Sequence, residues 1–171
     1  MDKIWISILI IIIIAWGCGY LIIQSSDTVG NAIVDVNKSQ VTIPSGFSGD
    51  SDLDSATFLD KSNSKSIYVK DLGKIDNALS NFKNFEKELN NDNDIDIQSN
   101  DTVKMGDITV YTVYYMNSTD SNSKLMSTSY LYSYEHTYLV KMKGFDNQDD
   151  LNKNLEKIVK TIKPDYKKSQ D

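Results

Sequence analysis

Charged residues are missing from Ile4 to Ile23; further on, apolar residues recur with a helical period in two segments and with a period of two in several others. At about 1.5 Å per residue the first run makes a helix of roughly 30 Å, the thickness of a hydrocarbon core. A cleavable signal peptide has an apolar region of only about 7–15 residues ending at a small-residue site, whereas Tyr20, Leu21, Ile22 and Ile23 continue past Gly17-Cys18-Gly19. The pattern predicts an uncleaved signal anchor over residues 4–23. Lys3 precedes the run and no lysine follows it before Lys38, so the positive-inside bias predicts a cytoplasmic stub of residues 1–3 and an extracytoplasmic remainder. Residues 24–39 are polar and small and read as a tether, residues 40–164 as one domain, and residues 165–171 as a polar tail.

Two segments carry the helical period. In residues 74–90, Ile75, Ala78, Leu79, Phe82, Phe85 and Leu89 fall on one face, with Asp76, Asn77, Asn81, Lys83, Asn84 and Lys87 opposite. The run Asn90-Asn91-Asp92-Asn93 ends it, because these side chains compete for backbone hydrogen bonds. In the second, Leu151, Leu155, Ile158, Val159 and Ile162 form the stripe, Asn147 is the expected N-cap with Asp150 in the capping-box position, and Pro164 stops the helix.

The period-two segments read as strands. "DITVYTVYYM" is apolar on both faces, as a central strand covered on both sides should be. In "LMSTSYLYSYEHTYLVKM", Met126, Thr128, Tyr130, Tyr132 and Tyr134 share one face, while Ser127, Ser129 and Ser133 mark the other as half-exposed; Glu135-His136 is the expected turn. "VTIPSGF", "ATFLD" and "SIYVKD" supply shorter strands. The order is short strands, helix, meander, closing helix: an α+β domain in which an antiparallel sheet is packed by amphipathic helices.

The formal charge of −6 and the lack of any arginine exclude a nucleic-acid binder, which needs a basic footprint and bidentate guanidinium readers. Cys18 is the only cysteine, so no intrachain disulfide forms; bulky Trp16 just ahead of it speaks against a lipid-attachment site. Asp50, Asp52 and Asp54 occupy the first three ligand positions of a calcium loop, but Ser55 stands in place of the turn glycine and Lys61 in place of the bidentate glutamate. The loop starting at Asp92 fails in the same way, with Val103 in the twelfth position. No metal and no cofactor is therefore expected. His136, the only histidine, is expected in an exposed turn, without the nucleophile and pocket that catalysis requires. Asn37, Asn100 and Asn117 begin glycosylation sequons, each expected in a turn or in the tether.

"VTIPSGF" with its hairpin, the amphipathic helix, "ITVYTVYYM", "YLYSYEHTYLVKM" and the terminal "LEKIVKTIKP" together resemble the Mog1/PsbP-like fold, and especially membrane-anchored PsbP-related proteins of archaea. The resemblance covers residues 40–164 and implies α/β/α layers and a non-enzymatic accessory role in a larger membrane or envelope assembly. It transfers no partner-contact residue. The expected function is a membrane-anchored extracytoplasmic binding or accessory module, with Tyr130, Tyr132 and Tyr134 as its expected partner surface. The alternatives are a pilin-like or surface structural subunit, which would need a processing site ahead of its helix, and a hydrolase or metal-dependent enzyme, which would need a histidine–carboxylate pair.

Overall fold

The structure, a computed structural model, describes residues 33–36, 39–42, 44–74, 77–119, 123–133 and 136–162. The expected anchor, Cys18, Asn37, Ile75, Tyr134, Glu135 and Pro164 lie outside the described residues. Among those described, no helix is long and apolar enough to cross a membrane.

Strands β1 (Ile33–Val36) and β2 (Ser39–Thr42) form an antiparallel pair. The main sheet is built from β3 (Phe47–Ser51), β4 (Ser55–Asp60), β5 (Ser66–Asp71), β6 (Ile95–Met105), β7 (Ile108–Asn117), β8 (Leu125–Ser133) and β9 (His136–Phe145). Its seven strands run antiparallel in the order β3-β4-β5-β9-β8-β7-β6. Helix α1 (Ala78–Asn90) connects β5 to the far edge strand β6, and α2 (Gln148–Thr161) follows β9.

Each helix covers one face. The stripe of α2 is buried throughout, with Leu151 and Ile158 fully enclosed, and it packs with Val36 and Val41 of the β1–β2 pair on Phe58, Ile67, Val69, Leu131, Tyr138 and Val140 of the sheet. Each such side chain removed from water contributes about 1.5–3 kcal/mol. On the opposite face Phe82 and Leu89 of α1 pack with Val113, and Tyr111, Tyr115 and Tyr130 surround them. Strand β7 therefore has both faces covered, as expected, although it lies next to the edge strand and not at the centre of the sheet.

The helix caps follow the sequence in part. Asn77 accepts from the Ser80 N–H at 2.9 Å and starts α1 at Ala78, four residues later than the expected start at residue 74. Asn147 accepts from the Asp150 N–H at 2.8 Å. The return half of a capping box is missing, because the Asp150 carboxylate is drawn to Lys65 at 2.7 Å instead.

Six further expectations need correction. The stretch 24–39 is not all tether: β1 lies inside it, and Val36 is completely buried, so the domain begins before residue 40. "VTIPSGF" is two strands, parted by a turn at Ser45-Gly46 in which Gly46 takes φ +90°. Most of the stretch read as a failed calcium loop from Asp92 to Val103 lies in the long edge strand β6. The serine face of β8 is buried: Ser127, Ser129 and Ser133 lie on the α2 side, where small side chains let the helix approach and Ser129 pairs with Thr112 at 2.8 Å. Leu79, expected on the apolar stripe of α1, is 38% exposed. His136 opens β9 instead of sitting in an exposed turn.

Candidate functional site

Helix α1 lies over β6, β7 and β8, which leaves the same face of β9, β5, β4 and β3 without a helix among the described residues. Register defines what that open face carries. One cross-strand row runs Tyr130, Leu139, Lys70 and Ser55; the next runs Thr128, Lys141, Tyr68, Thr57 and Asp50; a third runs Lys143, Ser66, Leu59 and Ser48. An antiparallel sheet can expose one face to water, and its polar alternation then follows. Here the polar positions include three lysines, set among half-buried Tyr68 and Leu139 and exposed Leu59.

The charge balance of the face is specific. Lys70 is paired with Asp54 at 3.2 Å, and that carboxylate raises the ammonium's pKa. Lys141 lies over the Phe85 ring, 5.9 Å from its centroid, and it and Lys143 have no carboxylate at ion-pair distance among the described residues. An acidic chain thus presents lysines without a carboxylate partner beside aromatic and aliphatic side chains, on a sheet face that no helix among the described residues covers.

The expected partner surface joins this face at its rim. Tyr130 is half-buried, its ring 6.4 Å from Phe85, and burial raises its phenol's pKa above the ordinary value. Tyr115 is raised for the same reason, and its hydroxyl meets Thr128 Oγ1 at 3.1 Å. Tyr132 is half-buried opposite Thr137. It is α1, and not the terminal helix, that packs along this tyrosine face.

The sequons separate. Asn100 lies exposed on β6, paired in register with Val113 and donating to the Glu86 carboxylate, so it sits in a strand and not in the expected turn. Asn117 ends β7, and its side-chain carbonyl accepts from the Thr119 N–H at 2.9 Å and its hydroxyl at 2.7 Å. The acidic stretch at Asp50, Asp52 and Asp54 gathers no ligand set; among the described residues no cluster of three or more potential metal ligands occurs.

One pairing was invisible in the sequence. His136 Nδ1 stands 3.4 Å from Oδ1 of Asp71, whose side chain is fully buried and whose Oδ1 also accepts from the Gly73 N–H at 2.6 Å. Next to it the Tyr138 hydroxyl meets Ser39 Oγ at 2.8 Å. A histidine–carboxylate pair therefore exists, contrary to expectation, between residues far apart in the chain. Ser133 faces His136 across β8 and β9, but its hydroxyl is buried and makes no hydrogen bond. An activated nucleophile would bond to its base and open to substrate. This geometry does neither; it joins β5, β9 and the β1–β2 pair at one end of the core.

A seven-stranded antiparallel sheet, with one helix on each face and an N-terminal strand pair beside the second, defines an α+β protein of the Mog1/PsbP-like fold. The chain is similar to the solution structure of cyanobacterial PsbP (CyanoP) from Synechocystis sp. PCC 6803, with a TM-score of 0.55 and 14% identity over 80% of this chain and 95% of that one. It is also similar to the Ran-binding protein Mog1p of Saccharomyces cerevisiae, with a TM-score of 0.52 and 13% identity over 78% of this chain and 95% of that one. No protein-family model matches the chain. No curated protein matches it in sequence.

Proposed function

We propose that the chain is a membrane-anchored extracytoplasmic binding or accessory module without catalytic activity. Residues 4–23 hold it in the membrane as a signal anchor, and the face of β9, β5, β4 and β3 takes an acidic protein partner in a larger membrane or envelope assembly. The observation that carries this reading is the pair of uncompensated lysines, Lys141 and Lys143, among Tyr68, Leu139 and Leu59 on an otherwise acidic chain. Complementary charge steers encounter and selects partners, while aromatic and aliphatic side chains supply the area that excludes water. Mog1p, one of the proteins that share this fold, is itself a Ran-binding protein, which supports the fold as a scaffold for binding. Tyr130 and Tyr132 extend the same surface toward α1.

The experiment is mild crosslinking and co-purification from membranes, comparing the natural chain with the double variant Lys141→Glu, Lys143→Glu. Both positions are exposed, so the domain should stay folded, with the melting temperature lowered by no more than a few degrees, the scale of losing the Lys141 contact with the Phe85 ring. The crosslinked species should vanish in the variant. An unchanged crosslink pattern would remove this face as the docking surface, and ladders of the chain with itself would favour the pilin-like reading.

Topology has its own test. Protease added to intact cells should trim the domain away and leave a short membrane-bound stub, because lysine flanks the apolar run only on its N-terminal side. Full protection of the domain would overturn the orientation, and a mature N-terminus near Cys18 or Ser26 would overturn the anchor.

A further inference from the structure

On the α2 side of the sheet, away from the open face, the loop leading into β3, the β4–β5 turn and one side of α2 line a cavity of about 340 Å³ that opens to solvent. Its walls include Phe47, Asp60, Lys65, Asp150, Lys153 and Lys157. Both carboxylates are already engaged. Asp60 accepts from Ser62 Oγ at 2.6 Å, Ser64 Oγ at 3.0 Å and the Lys65 N–H at 2.9 Å, and these donors, Ser62 first, lower its pKa to about 2. Asp150 takes the Lys65 ammonium at 2.7 Å, and Asn154 Nδ2 approaches the same carboxylate at 3.3 Å. Lys65 is further fixed over the Phe145 ring, 5.2 Å from the centroid.

Lys153 and Lys157 remain. They stand four apart on α2, line the same cavity, and have no acceptor among the described residues. Like charges at this spacing repel and weaken a helix, a cost that an anion between them would relieve. On a chain with 24 acidic residues against 18 basic ones, the lining of this concave site sets Lys65, Lys153 and Lys157 against Asp60 and Asp150, a positive balance that suits an anion. Phe47, half-buried and stacked on Phe145 with centroids 6.5 Å apart, gives the cavity an aromatic wall.

We propose that this cavity binds a small organic oxyanion, a phosphate ester or a polycarboxylate, with its charged group between Lys153 and Lys157 and its carbon skeleton against Phe47. Lysine ammoniums form charge-assisted hydrogen bonds with either kind of oxygen, and the volume lies at the lower end of the range for small-molecule sites. The proposal is independent of the docking face and of the membrane anchor.

Calorimetric titration of the full chain in an uncharged detergent tests it, with inorganic phosphate and citrate as probes and sodium chloride at matched ionic strength as the blank. Saturable one-site binding of at least one probe is expected. The double variant Lys153→Gln, Lys157→Gln should weaken it by about tenfold or more, the effect of losing charge-assisted contacts. Lys83→Gln with Lys87→Gln, on the exposed side of α1, should leave it unchanged. Binding of phosphate alone assigns the phosphate class, and binding of citrate alone the polycarboxylate class. No saturable heat with either probe, or equal weakening by the two double variants, would overturn the site.

Discussion

Gly144→Ala should destabilise the domain by roughly 2–5 kcal/mol, the sum of backbone strain and overpacking at one position. Gly144 lies in β9 with φ +89°, a region that residues bearing a Cβ rarely enter. A Cβ there would fall on the carbonyl oxygen of Ser64, with the Ser64 carbonyl carbon at 3.0 Å and Lys65 Cα at 3.1 Å. All three atoms are backbone. The turn they belong to has little room to move, since the Asp60 carboxylate holds Ser62, Ser64 and the Lys65 N–H, and Lys65 is tied to Asp150. Phe145, the next residue, is completely buried, so a shift of β9 would disturb the core as well. Gly106→Ala is the control: it has φ +62° in the β6–β7 turn and nothing within 4 Å of a built Cβ. Only the conformational cost remains there, about 1–2 kcal/mol. Urea denaturation of the two variants should separate them clearly, and equal losses would mean that the close approach at Ser64 carries no energy.

What was legible in the sequence follows from where a single period holds. The stripe of α2 keeps its phase from Leu151 to Ile162 and every member is buried; β7 keeps its alternation, and both faces are covered. Strand β6 hides because its register shifts between Ile97 and Ser99. Ile95 and Ile97 pack toward α1, and beyond the bulge Ser99, Thr112's partner Asp101 and Val103 take the other phase, so neither face shows a continuous apolar row. As an edge strand it also carries Asp96, Asp101 and Lys104 toward solvent, the polar composition that discourages edge-to-edge pairing. The strand β1 is too short for a period to emerge from its polar surroundings.

The candidate site was legible only at its rim. Tyr130 and Tyr132 stand out at period two, but Lys141, Lys143 and Tyr68 become one surface only when β9 returns from the meander to pair with β5, and no local pattern announces that pairing. The same long-range step joins Asp71 to His136. The serines of β8 misled for a different reason: polarity predicts exposure on average, yet a hydroxyl is small enough to lie beneath a helix, Ser129 with Thr112 as its partner and Ser127 and Ser133 with none.

Phe82→Ala should cost about 3–5 kcal/mol, as truncating a buried aromatic does. The ring is 6% exposed and packs with centroids 5.8 Å from Tyr111, where α1 rests on β7. This is the smaller of the two cores: apart from Phe82, its buried members are Leu89 and Val113. Partly buried Phe85, Ile95, Ile97, Tyr111, Tyr115 and Tyr130 pack against these three, so the ring's loss is felt across the whole cluster and first at Tyr111. Lys83, the next residue, points to solvent, and Lys83→Ala should fall within about 0.5 kcal/mol of zero. Leu79→Ala makes a sharper comparison, because the sequence puts Leu79 on the apolar stripe whereas the fold leaves it 38% exposed. Its cost should stay under that of Phe82, at about 1–2 kcal/mol, since more than a third of the residue remains in water after folding. Chemical denaturation of the three variants reads the helical phase directly: a loss at Leu79 as large as that at Phe82 would turn α1 by most of a residue's angle about its axis.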